Sequence, residues 1–400
     1  MTITCADCGA RQSIPELTGR STAECHRCDR LLARRTGVAF DVPLACAIGM
    51  SLLLPPAVFM PLMYSTIQNM VFEQSRLVSS VPEIYSAVWF PFAFGFLFFA
   101  LLFPAIRAFL QTIVLASLRF KWRVPQVGRI FRWSEELHLW SMTDVVVIAG
   151  IVAYLRADIP ADVEVLLGAW CYVAVAILAF ATDRTLDRRA VWSAIMPDRP
   201  SHLGGGTVSC AVCELVVNRR AGDPCPRCGA TLDPRIAYRF MPVAAALAAA
   251  IPLCLPAYSA AVMVNDQLTA VIEHTVMGTV QLFADRGYWQ FGAVILIAGV
   301  VIPLTVLAGM LWLLLRVRFP HKRGLVLRTR VYRMMRRLVR WPMILPFVAA
   351  IAAPIVDFRG IDDIVAGPGA TPLFMLITLL ILSVRLFEPR LMWRSAGEVR

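Results

Sequence analysis

Cys225-Pro226-Arg227-Cys228-Gly229 completes a four-cysteine set opened by Cys210 and Cys213, and the same set stands earlier in the chain as Cys5, Cys8, Cys25 and Cys28. Paired Cys-x-x-Cys knuckles at this separation are the zinc-ribbon pattern, in which each knuckle supplies two thiolates to one tetrahedral zinc. Each set precedes a long apolar stretch, so the chain reads as a duplicated unit of ribbon plus membrane half. A four-thiolate site has no open coordination position, so the expected role of the two zinc ions is structural or docking, with a redox switch as the other reading. His26 lies between Cys25 and Cys28, but with four thiolates at hand it reads as an exposed knuckle residue.

The duplication continues past the ribbons. Trp140-Ser141-Met142 is echoed by Trp341-Pro342-Met343, and Phe103-Pro104 by Ile302-Pro303. Asp187-Arg188-Arg189-Ala190-Val191-Trp192 is echoed by Glu388-Pro389-Arg390-Leu391-Met392-Trp393. These pairs and the cysteine sets all recur at about 200 residues, the mark of an internal repeat.

Composition sets the class. Of 400 residues, 58% are hydrophobic and 16% charged, and mean hydropathy is +0.66, far too apolar for a water-soluble protein of this length. Apolar runs fall at Val42 to Met63, Val88 to Leu118, Thr143 to Tyr154, Val163 to Ala181, Pro242 to Val264, Phe291 to Leu315, Met343 to Val356 and Pro372 to Leu386. Those starting at Thr143 and Met343 are short and need flanking residues to cross a bilayer. The expected fold is an all-α integral membrane protein of two tandem repeats of four transmembrane helices, each repeat preceded by a small cytoplasmic zinc ribbon. The expected boundaries are 1–36 for the first ribbon, 37–200 for the first half, 201–236 for the second ribbon and 237–400 for the second half.

Charge sets the orientation. The net charge of +12 is gathered in the first ribbon and in Arg119 to Arg132, Arg184 to Arg199 and Arg316 to Arg340, while the intervening loops carry acids such as Glu73, Asp158, Asp285 and Asp362. The positive-inside rule then places both termini, both ribbons and the basic loops in the cytoplasm. Because the basic clusters alternate with spans, they do not read as a nucleic-acid surface. Met1 to Cys5 shows no basic-then-apolar leader, so the first span is expected to direct insertion. A reducing compartment favours thiolate–metal bonds over disulfides. Cys46, Cys171 and Cys254 lie within apolar spans and read as small buried hydrophobes.

These motifs carry a family resemblance. The ribbon ending in Cys225 to Gly229, Trp-Ser-Met-x-Asp at Trp140 to Asp144, the run Arg328 to Trp341, the Gly367-Pro368-Gly369-Ala370 turn and the Asp-x-Arg-x-x-Trp type segment closing each half resemble, in this order, the paraquat-inducible protein A family. The resemblance spans nearly the whole chain. It implies no enzyme but a multispan inner-membrane component of a lipid-transport system, working with a periplasmic MCE-domain partner that forms a tunnel for phospholipid.

Function inside the membrane has to come from its few polar residues, because placing them there is costly. Arg107 in the second span and Asp144 near the start of the third read as a neutralising pair, with Ser141 one turn from Asp144; the other reading is that Arg107 snorkels and Asp144 caps a helix. The resemblance implies a Lys and an Asp at the matching places of the second half, where this chain has Val306 and Leu345. Thr305 and Thr378 are left as polar candidates there, and any charge coupling falls on Arg107 and Asp144. The stretches Thr66 to Ile84 and Asp266 to Gly287 are expected on the outer face. Leu268, Val271, Ile272, Val276, Val280 and Leu282 follow a roughly helical period, suiting an amphipathic surface helix or a docking surface. A zinc- or redox-sensing membrane scaffold in envelope stress, and an ion channel or exporter, are the alternative functions.

Overall fold

Among the described residues two rounds of closely similar element order follow one another, as the internal repeat demands. The computed structural model describes the chain except residues 1, 15–20, 36–39, 68–69, 87–89, 139, 158–161, 198–206, 211, 219–221, 233–239, 268–269, 286, 288, 320–321, 345–361 and 398–400. Most of the expected seventh span, from Met343 to Val356, and with it Leu345, therefore lies outside the described residues.

The first round opens with two antiparallel hairpins, β1 (Thr2–Thr4) with β2 (Arg11–Ser13) and β3 (Ser21–Glu24) with β4 (Leu31–Arg35). Each hairpin turn carries one cysteine pair. Then α1 (Asp41–Phe59) rises for 19 residues, about 28 Å, close to the hydrocarbon thickness of a bilayer. At its end Pro61 starts an antiparallel pair, β5 (Pro61–Ile67) and β6 (Met70–Arg76), followed by α2 (Leu77–Ser86). The return rod is α3 (Phe90–Phe96), a π-helical turn at Leu97–Leu102, and α4 (Phe103–Phe120). Beyond it lie the short α5 (Val127–Leu137), α6 (Thr143–Ala157), β7 (Asp162–Val165), α7 (Leu167–Thr185) and α8 (Arg188–Ile195).

The second round repeats this. β8 (Thr207–Ser209) and β9 (Val216–Asn218) form a ribbon hairpin, and α9 (Phe240–Ser259) leads to β10 (Met263–Gln267), β11 (Ala270–His274) and α10 (Val276–Asp285). The rod is α11 (Trp289–Leu296), a π-helical turn at Ile297–Val301, and α12 (Ile302–Arg318); α13 (Leu325–Leu338), β12 (Asp362–Ala366), α14 (Ala370–Leu386) and α15 (Arg390–Ser395) follow. In each half the first helix packs along the last long one, α1 on α7 and α9 on α14.

The two π-helical turns have a shared cause. Each lies just ahead of a proline, Pro104 or Pro303, which brings no N–H to the helical ladder and crowds the preceding turn. A carbonyl in each widened turn is satisfied from a neighbouring helix: the Tyr172 hydroxyl donates to Ala100 O at 2.9 Å, and the Tyr258 hydroxyl to Gly299 O at 2.9 Å. Backbone groups away from water need such partners.

Among the described residues five helices are long and apolar enough to cross a membrane, Asp41–Phe59, Ala93–Phe120, Leu167–Thr185, Phe240–Ser259 and Trp289–Arg318; Ala370–Leu386 is apolar but shorter. These helices carry exposed Leu52, Phe109, Trp170, Ile177 and Leu255, large apolar side chains that suit a lipid surrounding.

The expectation of a purely α fold needs correction at one end of the bundle. β5 pairs with both β6 and β7, and β10 with both β11 and β12, so each half closes in a three-stranded antiparallel sheet. Spans therefore end earlier than hydropathy suggests: Met63, Val163 to Val165 and Val264 are strand residues. The outer surface helix expected from Leu268 to Leu282 begins only at Val276; Val271 and Ile272 lie in β11, and Leu268 is outside the described residues. β-Branched residues favour a strand once a partner strand arrives from about 100 residues away. The Gly367-Pro368-Gly369 turn belongs to this junction. Gly367 N–H donates to Val262 O at 3.0 Å and Gly369 N–H to Ala261 O at 2.8 Å, while a Cβ on Gly367 would sit 2.2 Å from Ala261 O.

Candidate metal centres and a charged cleft

Both cysteine sets converge. Cys5 and Cys28 Sγ lie 3.6 Å apart and Cys8 and Cys25 3.6 Å apart; in the second ribbon Cys210 and Cys228 are 3.5 Å apart and Cys213 and Cys225 3.6 Å. Within each set all ligand atoms fall inside 4.8 Å, and all eight cysteines are buried. A disulfide needs about 2.05 Å, whereas the edge of a tetrahedron with metal–sulfur bonds of about 2.3 Å is about 3.8 Å. The donor set fits one thiophilic ion per ribbon, which would tie the two knuckles of a domain too small to hold itself together by apolar burial. His26 is exposed and bonds Gln12 Oε1 through its ring Nδ1, so it stands apart from the ligands. Cys46, Cys171 and Cys254 are half-buried on α1, α7 and α9, less enclosed than expected.

Each ribbon is seated on the half that does not follow it. On the first ribbon, Arg333 of α13 donates to Cys28 O at 2.8 Å, to Asp29 O at 3.2 Å and to the Asp7 carboxylate at 2.9 Å, and lies 3.4 Å from Cys28 Sγ. Arg330 pairs with Asp29 at 2.8 Å, Arg390 donates to Ala6 O at 3.0 Å, and the Arg27 guanidinium stacks 4.8 Å from the Trp393 ring. The second ribbon lies on the first half through apolar packing: its four cysteines share one core with Leu44, Val114, Leu115, Phe131, Val191 and Trp192. Arg227 donates to Met196 O. Gly128, at the start of α5, lets the knuckle approach so closely that a Cβ there would fall 1.8 Å from Arg227 O. The ribbons also touch each other, since Arg30 bonds Asp7 of its own ribbon and Glu214 of the other.

Three of the polar residues singled out in the sequence, Arg107, Ser141 and Asp144, line a cleft of about 640 Å³ between the ribbons and the first half, together with Arg340. Arg107 and Asp144 do not pair, contrary to expectation. Arg107 is 3% exposed and bonds Asp183, near the end of α7, while Asp144 is half-exposed and 3.4 Å from Arg340. The reason is geometric: α4 brings Arg107 beside the end of α7, and Asp144, in the first turn of α6, lies beside Arg340 just beyond α13. Asp183 also faces His138 Nδ1 at 3.5 Å, and Arg188 bonds Glu135 at 2.9 Å. Burial pushes the Glu135 carboxyl up against the opposing pull of Arg188, and burial together with Arg107 and Arg188 pushes the His138 imidazole well down. Ser141 is buried at the cleft wall, and Gln111, one turn from Arg107, is 1% exposed.

In the second half Thr378 donates to Phe374 O at 2.9 Å, a bond within its own helix. Thr305 lies on an exposed face of α12, without a bond to Thr378 among the described residues. Sequence reasoning missed Asp183, His138, Glu135, Arg333 and Arg340. For Asp183 a signal existed: aligning the halves on Trp192 and Trp393 sets it opposite Val384, as Arg107 stands opposite Val306, so the two charges disappear together.

Comparison with known proteins agrees with the repeat. The family model described as "Paraquat-inducible protein A" matches residues 40–196 and again 241–397. The chain is 26% identical to "Intermembrane transport protein PqiA" of Escherichia coli (strain K12), covering 99% of this chain and 96% of that one. It is 25% identical to "Lipophilic envelope-spanning tunnel protein A" of the same organism, over 99% of this chain and 92% of that one. To the "Probable intermembrane transport protein" of Haemophilus influenzae it is 24% identical, over 98% and 95%. No solved structure matches the chain.

Proposed function

Because the chain belongs to the paraquat-inducible protein A family, we propose that it is the multi-pass inner-membrane component of an intermembrane lipid-transport system. The observation that carries this reading is likeness over nearly the full length to proteins named for intermembrane transport and for an envelope-spanning tunnel. In this reading phospholipid leaves or enters the inner membrane through this chain and passes along a periplasmic MCE-domain tunnel. No step needs bond-making, so the chain works as a transporter and not as an enzyme.

Eight spans, four per half, are the arrangement we favour. It is supported by the shared element order of the halves and by the apolar α14, and α6 serves as a short third span. The ribbons, α5, α8, α13 and α15 lie on the basic side, which the positive-inside rule assigns to the cytoplasm; the three-stranded sheets then face the periplasm, within reach of a tunnel partner. Zinc is the metal we assign to the two four-thiolate sites, by ligand softness and geometry.

The test is reconstitution. Full-length protein in donor vesicles, with the MCE-domain partner and acceptor vesicles, should move a fluorescent phospholipid faster than either protein alone. Equal rates with and without this chain would refute transport. Topology has its own check: single cysteines near Asp285 should react with an impermeant thiol reagent in the periplasm and those near Arg323 should not, and the reverse pattern would invert the molecule.

A further inference from the structure

The cleft between the ribbons has a chemistry that the fold itself does not require. Eight arginines line it against five carboxylates, an excess of three positive charges. The carboxylates are engaged: Asp183 by Arg107, Glu135 by Arg188, Glu214 by Arg30 and Asp144 by Arg340. Asp187 caps α8, accepting from Arg189 N at 3.1 Å and Ala190 N at 3.0 Å. Arg34 and Arg184 at the cleft have no carboxylate partner among the described residues; Arg184 lies 4.7 Å from the Phe180 ring. Arg107, nearly fully buried in the wall, keeps an orphaned Nε.

The repeat supplies an internal control. In the second half, Val306, Val339 and Val384 stand where the first half has Arg107, His138 and Asp183, and they are 0%, 1% and 0% exposed. The same helix packing is thus achieved with valine. Buried ion pairs are in general replaceable by apolar groups at little or no cost in stability, so the charged cluster is kept for something other than the fold.

The cleft is also amphipathic along its length. Its lining runs up α7 from Arg184 and Asp183 to Phe180, Ala179 and Ala176, about 12 Å at 1.5 Å per residue. Arginines sit at the ribbon end, and two alanines and the exposed Phe180 at the span end. A guanidinium matches a phosphate oxygen pair bidentately and keeps its charge at any physiological pH. We infer that this cleft binds a phosphate group, with Arg34 and Arg184 as its free ligands: the phosphodiester of a membrane glycerophospholipid whose acyl chains leave past Ala176, Ala179 and Phe180, or free phosphate. The lipid source rests on the transport reading above; the anion site does not.

Binding to purified full-length protein decides it, with dihexanoyl phosphatidylglycerol, inorganic phosphate and dihexanoylglycerol as probes and intrinsic tryptophan fluorescence or calorimetry as readout. The variant R34A/R184A should weaken the phosphatidylglycerol analogue at least tenfold without changing thermal unfolding or metal content. Arg119→Ala, an exposed arginine outside the cleft, should leave binding unchanged. Dihexanoylglycerol, which lacks the phosphate, should not compete. Tighter binding of the lipid analogue than of inorganic phosphate identifies the phospholipid; equal binding identifies free phosphate and removes the acyl exit. Unchanged binding in R34A/R184A overturns the site. The two readings fail separately: lipid transfer that survives in R34A/R184A at the parent rate rejects the cleft as a site for transported lipid and keeps transport, whereas anion binding in a protein that moves no lipid rejects transport and keeps the cleft.

Discussion

The first half hides its charges and the second wears them. Inside the first, Arg107, Asp183 and His138 meet at the end of α7; at the matching interior positions the second has three valines. Where each half receives the opposite ribbon the pattern inverts: the second half adds arginine bonds from α13 and α15 to the apolar core it shares with its ribbon, whereas the first relies on an apolar core and the close approach at Gly128. One backbone plan accepts both distributions. Element order therefore depends on apolar spacing and the turn residues, while the charges are free to serve binding and docking.

That contrast can be broken from the strongest contact downward. Cys225→Ser with Cys228→Ser should lower bound zinc from about two per chain to about one. Structural zinc supplies about 10 kcal/mol or more of folding energy to such a domain. Hydrogen exchange should then rise in the second ribbon and in α5 and α8 of the first half, with α13 unaffected. Loosening of α13 instead would dissolve the exchanged seating.

The interior contrast comes next. Asp183→Val leaves Arg107 buried and alone, which should cost about 3–5 kcal/mol. Adding Arg107→Val copies the second half and should restore thermal unfolding to near the parent value. If the double variant melts as low as the single one, the valine interior is not an equivalent solution.

Gly128→Val puts branched carbon against the Arg227 carbonyl and should cost about 1–3 kcal/mol by overpacking, seen as faster proteolysis of the second ribbon. Arg333→Ala removes charge-assisted bonds to Cys28 and Asp7, each worth about 1.5–3 kcal/mol, and should free the first ribbon while the second keeps its protection. Smallest of all, Arg330→Ala removes a pair whose side chains are 63% and 51% exposed, where about 0.2–1 kcal/mol is usual. A loss from Arg330→Ala equal to that from Arg333→Ala would mean that the seat is a diffuse charge field and not the clasp at Cys28.

How far each feature could be read from sequence follows its range along the chain. The thiolate knuckles are local, two cysteines on one turn, and the two sets come together as expected. Apolar spans are local too, but their ends are not: Val163 and Val264 read as span until β5 pairs with β7 and β12 with β10. The partner of Arg107 was misread because Asp144 sits in a recognisable motif and Asp183 does not, although the joint loss of Arg107 and Asp183 in the second half was there to be seen.

Sequence alone therefore determined what depends on spacing within a few turns: two four-thiolate sites, a doubled chain, apolar helices of membrane length and a basic side. Tertiary structure alone decided which ribbon rests on which half, which carboxylate answers Arg107 and Asp144, and where eight arginines enclose a cleft. The physical reason is that those outcomes join residues from 31 to 326 positions apart. Their meeting depends on how whole helices pack, and no pattern within one helix encodes it.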